Sequence, residues 1–388
     1  MKCLRCGNED PHFFFGVNQK KYCRKCVSFR RIYVDETPTS TIDKTEVIDA
    51  SYYLPFALTP YQNELSKRIL ATVLVHKNVL ARAVCGAGKT ELVYETISYY
   101  LKAGKKVCFA IARRQVVLEL AKRFEKVFTS LKVIAVCEGF TKVINGDLIV
   151  CTTHQLYRYY HFFDLLILDE PDAFPFAGNE VLMNIACNSC RGEVIYLSAT
   201  PDEYLLRLIE KGELVRFDLP LRPSNLPLPI PKIYYLPSLL VFVYLWRWLS
   251  QKKKQGRQGL IFVPTIALAN RIVFVIKRYY KAAGITSKTN EKEKMIEEYR
   301  RKKLQFLVST TVLERGVTFE AIDVLVLLAQ HPVFNTSALI QIIGRVGRGI
   351  KDTSGEATLL STSKTTSINQ CIESIHLDNL LAFGAIKK

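Results

Sequence analysis

The sequence has no apolar run long enough to cross a bilayer. Its greasiest stretch, Leu239 to Leu249 (LLVFVYLWRWL), is broken by Arg247 and falls well short of the ~20 residues a spanning helix needs. The opening MKCLRCGNED has no apolar h-region, so no cleaved signal is expected. Acidic residues are scarce: 36 Asp and Glu against 54 Lys and Arg leave a formal charge of +18. Such a surplus favours a polyanionic partner, nucleic acid or an acidic membrane face, over simple solubility. Eleven cysteines make an odd set without a secretory signal, which argues against a disulfide framework and for reduced thiols, some of them holding metal. There is no internal repeat and no low-complexity tail. A hydrophobic content of 49% excludes disorder as the dominant state, and 388 residues predict two or three compact units.

What is present has a clear order. Residues 1–31 are short, basic and cysteine-bearing, and 32–57 read as a polar linker containing DETPTSTIDKTEVID. Over 58–218 helix-like patterns alternate with the apolar runs VLARAV, KVCFAIA, DLIVCTT, DLLILDE and EVIYLSAT, each suited to a strand buried on both faces of a parallel sheet. Five prolines between Pro220 and Pro231 mark a second linker, 219–232, because no helix or central strand tolerates that density. The alternation resumes over 233–388 with GLIFVPT, QFLVST and VLVLLA, and KTNEKEKMIEEYRRKKL reads as a solvated helix. The expected fold class is α/β: two lobes with parallel sheets, preceded by a small metal module.

The sharpest motif is AVCGAGKT, in which Gly86, Ala87, Gly88, Lys89 and Thr90 follow a strand-like run and precede the helical ELVYETISYYLK. Glycines let backbone N–H groups wrap phosphates at a helix start, Lys89 would reach the β and γ phosphates, and Thr90 would ligate magnesium. Eighty residues on (169 minus 89), the apolar Leu165 to Leu168 run into Asp169-Glu170-Pro171-Asp172. Asp169 would hold magnesium and Glu170 would orient and deprotonate the attacking water. Farther along, Gln341-Ile-Ile-Gly344-Arg345-Val-Gly347-Arg348 places two arginines three apart, as on one helical face, where they would serve as arginine fingers toward the γ-phosphate. ATP and magnesium are the expected cofactors.

Cys3-x2-Cys6 and Cys23-x2-Cys26, sixteen residues apart, have the spacing of a four-thiolate zinc site, structural because no ligand position stays open. Around them Lys20, Lys21, Arg24, Lys25, Arg30 and Arg31 interleave with Phe13, Phe14, Phe15, Tyr22 and Phe29, a composition suited either to single-stranded nucleic acid or to a tiny aromatic core with a solvated basic rim. Cys187-x2-Cys190 is a lone pair and reads as ordinary thiols. Lys252 to Lys254 and Arg300 to Lys303 read as solvated charge runs, and the aromatics around Trp246 and Trp248 as core.

Taken in order, these motifs resemble helicase superfamily 2 through most of residues 58–349, with two RecA-like lobes. Leu58-Thr59-Pro60-Tyr61-Gln62 resembles the motif in which Gln62 senses adenine. Thr152, Thr153 and His154 of TTHQL look like strand-contacting residues, as does Arg113 after the third strand, although IARR lacks the proline usual there. Ser198, Ala199 and Thr200 resemble the SAT motif that, with Gln341, couples nucleotide state to lobe closure. Thr265, Thr310 and Thr311 resemble second-lobe residues that grip the nucleic acid backbone, and Gly316 one that senses nucleotide. Pro171-Asp172 after the DE pair departs from the DEAD-box RNA helicases. The four-cysteine knuckle, DEPDAFP, TTHQL and TTVLERGVTF together resemble the ComFA family of late-competence DNA-uptake ATPases, which is similar in these motifs to PriA-type helicases. The resemblance implies a cytoplasmic ATPase at the inner face of the membrane that drives transforming single-stranded DNA inward, with the membrane DNA-uptake channel and other competence proteins as partners, and it is compatible with an oligomer. The alternatives are a duplex-unwinding helicase of repair or replication restart and a non-catalytic DNA-tethering adaptor.

Overall fold

The eight apolar runs read as doubly buried strands all lie in two parallel sheets, which five further strands complete. The computed structural model describes residues 1–17, 20–34, 36, 48–314, 317, 319–348 and 353–384. It divides into two units, Met1–Ala83 with Gly88–Leu219, and Pro220–Lys388 with Val84–Ala87.

The first unit opens with a hairpin, β1 (Phe14–Val17) and β2 (Lys20–Cys23). Its main body runs α1 (Pro60–Leu74), β3 (Asn78–Ala83), α2 (Tyr94–Lys102), β4 (Val107–Ile111), α3 (Arg114–Val127), β5 (Val133–Val136), β6 (Leu148–Thr152), β7 (Phe163–Asp169), α4 (Glu180–Ser189), β8 (Cys190–Ser198), α5 (Glu203–Glu210) and β9 (Leu214–Leu219). The seven main strands pair in parallel in the order β5-β6-β4-β7-β8-β3-β9. Every residue of β4 and β6 is buried, as a strand covered on both faces requires. Helix α1 starts at a capping box: Gln62 N donates to Thr59 Oγ1 and Thr59 N to Gln62 Oε1, with Pro60 in the first turn. At β8, a Cβ on Gly192 would lie 2.0 Å from Asp164 O, so only glycine lets β7 and β8 close over the irregularity between Phe163 and Leu165.

The four-cysteine module is fastened to this unit. Asn184 Nδ2 on α4 donates to Cys6 O, and Asn188 Nδ2 to Leu4 O and Arg5 O, each at 3.0 Å. Buried Arg5 donates to Cys26 O and Arg30 O at 2.7 and 2.5 Å. The four cysteines, Phe14, Phe29 and Ile32 join the apolar layer that contains Leu156, Leu182 and Ile185.

The second unit contains β10 (Lys232–Tyr235), α6 (Ser238–Lys254), β11 (Gln258–Phe262), α7 (Ile266–Ile276), β12 (Ala282–Ile285), α8 (Lys292–Arg300), β13 (Phe306–Ser309), β14 (Ile322–Leu327), α9 (Thr336–Ile343), β15 (Ala357–Ser361) and α10 (Thr366–Gly384). Its strands are parallel in the order β10-β15-β14-β11-β13-β12. Trp248 is buried against Phe306 over Gly259, where a Cβ would meet the indole at 2.5 Å.

Three local expectations change. The segment after the phosphate loop begins as a 3-10 turn, Glu91–Val93, before α2. The solvated helix is only α8, which ends at Arg300 where the chain turns through Lys302 at φ +59°. Lys252 is not solvated: it is 2% exposed and its amine meets Asp323 at 3.1 Å and also Glu356, because the last turn of α6 packs onto the sheet. Among the described residues no helix is long and apolar enough to cross a membrane.

Candidate active site

The sheet register brings the candidate catalytic groups of the first unit to one edge. Asp169 ends β7 opposite Leu197 of β8, Ser198 lies opposite Arg82 of β3, and Ile111 of β4 aligns with both Asp169 and Thr152. Ligand sites in such sheets form beyond the carboxyl ends of the strands. Lys89 Nζ stands 3.4 Å from Glu170 Oε1 and 3.7 Å from Asp169 Oδ1. Glu170 holds φ +54°, a backbone conformation uncommon outside glycine, and its N–H donates to Leu197 O at 2.8 Å. Gly88 sits at φ +85°, and a Cβ there would come within 2.8 Å of Gln62 Nε2, so Gln62 lies directly against the phosphate loop while its Oε1 serves the α1 cap.

Asp172 carries the next link. Ser198 Oγ donates to Asp172 Oδ1 at 2.6 Å, Thr200 Oγ1 donates to Oδ2 at 2.8 Å, and Thr200 N donates to Ser198 Oγ. The fourth residue of the acidic box is thereby bound to the SAT segment, with Ala199 buried between the two hydroxyls. Motif spacing alone does not single out Asp172, although its position three after Asp169 is a usable signal. Burial and the nearby Asp172 raise the carboxyl pKa of Asp202, just beyond SAT. Glu91, buried after Thr90, is paired with Arg123 of α3.

Thr152 ends β6, and Thr153 and His154 begin the turn Thr153–Arg158. Both threonines are buried. Arg113, half-buried, is the residue before α3 at the same sheet edge. The ring of Phe29 from the cysteine module lies 5.9 Å from those of His154 and Tyr157. Burial lowers the His154 pKa and favours its neutral form. No sequence pattern flagged the Phe29 contact.

In the second unit Thr265 caps α7, accepting from Leu268 N, and Thr310 and Thr311 follow β13, whose Ser309 is in register with Phe262 of β11. These three threonines therefore share a sheet edge. Gly316 lies outside the described residues. The helical-face reading of the arginine pair does not hold: α9 ends at Ile343 and both arginines follow the Gly344 cap. Arg345 is 1% exposed, with Nε donating to Glu314 O, whereas Arg348 is half-buried and donates to Gly344 O. Gln341 is buried on α9. Arg222, from the proline-rich linker, donates to Gly344 O at 3.0 Å and Val346 O at 2.7 Å. Burial, together with neighbouring Arg348, pulls its pKa down to about 10. Nothing in the linker composition marks it.

The cysteine cluster fits a metal. Its four sulfurs lie within 4.8 Å of one another, with Cys3–Cys26 and Cys6–Cys23 each at 3.7 Å. A tetrahedral zinc with Zn–S of about 2.3 Å sets its sulfurs about 3.8 Å apart. None of the eleven cysteines is in a disulfide, and among the described residues exposed Cys187 and buried Cys190 belong to no such cluster.

Two family models match the chain: the type III restriction enzyme res subunit over residues 55–203 and the helicase conserved C-terminal domain over 235–349. Saccharomyces cerevisiae Dbp5 bound to RNA and ADP BeF3 has the same architecture, with TM-score 0.63 at 17% identity over 83% of this chain and 92% of that one. RecG bound to a three-way DNA junction gives 0.60 at 20% identity over 84% and 47%. Paired RecA-like sheets and these domain matches define a superfamily 2 helicase-type ATPase, for which ATP is the nucleotide.

Competence protein ComFA of Streptococcus pneumoniae is 34% identical over 97% of this chain and 90% of its own length, and ComFA of Bacillus subtilis is 32% identical over 98% and 86%. The ATP-dependent DNA helicase RecG of S. pneumoniae is 26% identical over 81% and 50%. The chain belongs to the ComFA competence protein family.

Proposed function

We propose that the chain is an ATP-driven motor on single-stranded DNA that draws transforming DNA into the cytoplasm. Residues 1–31, with Ile32 and Tyr33 packed onto them, form its zinc module, 58–218 its ATP-binding lobe and 233–388 its second lobe, joined by a linker at 219–232; of the expected linker 32–57, residues 35 and 37–47 lie outside the described residues. The observation that carries this reading is the strand-end cluster in which Lys89 faces Asp169 and Glu170 while Asp172 is bound to Ser198 and Thr200.

In this reading the backbone of Gly86, Ala87 and Gly88 cradles the phosphates, Lys89 neutralises the β and γ oxygens, and Gln62 beside Gly88 reads the adenine. Glu170 takes the proton of the attacking water. Thr90 and Asp169 offer the hard oxygen donors that suit magnesium, which supplies charge neutralisation between the phosphates. Arg348, assisted by Arg345, meets the charge that develops on the transferred phosphoryl group, with Gly316 and Gln341 sensing the nucleotide. Because Asp172 binds both SAT hydroxyls, loss of the γ-phosphate next to Asp169 would be felt at Ser198 and Thr200 and passed on as a change in lobe closure. Arg113, Thr152, Thr153 and His154 in one lobe, and Thr265, Thr310 and Thr311 in the other, hold the strand.

The family name and the +18 charge support DNA as the track and the cytoplasmic face of the membrane, next to the uptake channel and other competence proteins, as the place of work. The test is steady-state ATPase at low salt with single-stranded DNA, duplex DNA and RNA. Selective stimulation by single-stranded DNA is expected, and its absence defeats the motor reading. Strand displacement would instead identify a duplex-unwinding enzyme.

A further inference from the structure

The outer face of the β1–β2 hairpin takes no part in the site described above. Register pairs Phe14 with Cys23 and Phe15 with Tyr22. Side chains alternate along a strand, so Phe14 and the ligand Cys23 turn inward onto the core, and Phe15 and Tyr22 turn outward. Tyr33, bridged to Tyr22 by an antiparallel pair, adds a third ring with its centroid 6.4 Å from that of Tyr22. Each ring carries a cation: Arg24 lies 4.3 Å from the centroid of Phe15, Arg31 4.7 Å from Tyr22, and Lys20 5.7 Å from Tyr33. Phe15 is 42% exposed and all three cations are exposed. This face is also fixed in place, because the module is held by Asn184 and Asn188 and its Phe29 packs on the TTHQL turn.

We propose that this face is a stacking platform for the bases of single-stranded DNA. An arriving base displaces a cation from above its ring, and the displaced cation pairs with an adjacent phosphate. Flat rings interleaved with exposed cations match a strand that offers π-faces and phosphates alternately. A duplex hides its base faces, and an acidic peptide would use the cations and leave the rings idle. The inference deepens the proposed function and rests on it: the metal fixes the hairpin, and the hairpin shares in holding the strand.

The test uses the full chain and fluorescence anisotropy with oligo(dT) of ~30 nucleotides and an abasic strand of equal length, with zinc content as the fold control. Phe15→Ala is expected to weaken oligo(dT) binding about tenfold while leaving abasic binding within about twofold of wild type. Unchanged oligo(dT) affinity, an equal loss on the abasic strand, or displacement of oligo(dT) by polyglutamate as effective as by unlabelled oligo(dT) would overturn the platform. If Phe15→Ala loses zinc, Phe15→Trp decides: its emission is expected to be quenched by oligo(dT), and unaltered emission counts against the proposal. ATPase stimulation of the wild type is read in parallel. A weakened Phe15→Ala in a chain whose ATPase ignores DNA would defeat the motor reading and leave the platform standing.

Discussion

Each unit carries a cluster of opposite charges, and the two clusters are built differently. In the first, Lys89 stands 3.4 and 3.7 Å from the two carboxylates at the strand end, longer than the ~2.7–2.9 Å of a tight charged hydrogen bond. In the second, Asp323 is 1% exposed and takes Arg257 at 2.7 Å and Lys252 at 3.1 Å, while Glu356 accepts from Lys232 at 2.6 Å and also binds Lys252. The first cluster sets an amine beside two acids at the carboxyl ends of the strands, where a phosphate can enter. The second is closed on itself and serves the fold, fastening α6 to the starts of β14 and β15. Charge at a strand end is thus not by itself a site; the spacing separates the two cases.

That contrast can be broken most forcefully at Lys89. Lys89→Ala is expected to lower ATP turnover by at least about a thousandfold, as loss of a phosphate-binding charge does, with oligonucleotide binding and the thermal midpoint near wild type. An unfolded variant would place Lys89 in the same structural class as Lys252. Asp323→Ala should do the reverse, leaving buried Lys252 to Glu356 alone and half-buried Arg257 without its carboxylate, and lowering stability by about 3 kcal/mol in urea unfolding. Any ATPase defect should then track only the unfolded fraction. Asp172→Asn tests the link between acids and SAT: DNA-stimulated turnover should fall about tenfold while turnover without DNA changes less, measured as kcat over a titration of oligo(dT). The smallest effect concerns His154. Its pKa is lowered by burial, so the unfolded chain takes up the proton first as pH falls. The associated stability is complete above about pH 6.5 and is lost as pH drops through the folded value. Between pH 8 and 5.5 the wild-type thermal midpoint should fall by about 1 °C more than that of His154→Phe, which keeps a ring against Phe29.

Much of this was readable from the chain because its information is local. A phosphate loop, a DE pair ending an apolar strand and two CxxC turns each place their chemistry within a few residues, and the alternating runs announce parallel sheets. What stayed hidden depends on contacts made across long separations. Arg222 binds carbonyls more than 120 residues away, and Phe29 reaches His154 from a different module. Lys252 looks like one of three surface lysines until α6 is laid on the sheet. The arginine pair departs from the helical face for a more instructive reason. Spacing alone suggested a shared helical face, but Gly344 stops α9, and glycine at that point was the available warning.

The grip of α4 on the cysteine module has a practical consequence for genetics. Asn184 and Asn188 hold the backbone around Cys6 and Arg5, and α4 begins ten residues after Glu170. Deleting the first thirty-one residues would strip that helix of its cover and bare Tyr157 beside the TTHQL turn, so a shortened gene would report on the catalytic lobe as much as on the missing module. Single cysteine replacements, scored alongside a bound-metal assay, would tell the two contributions apart.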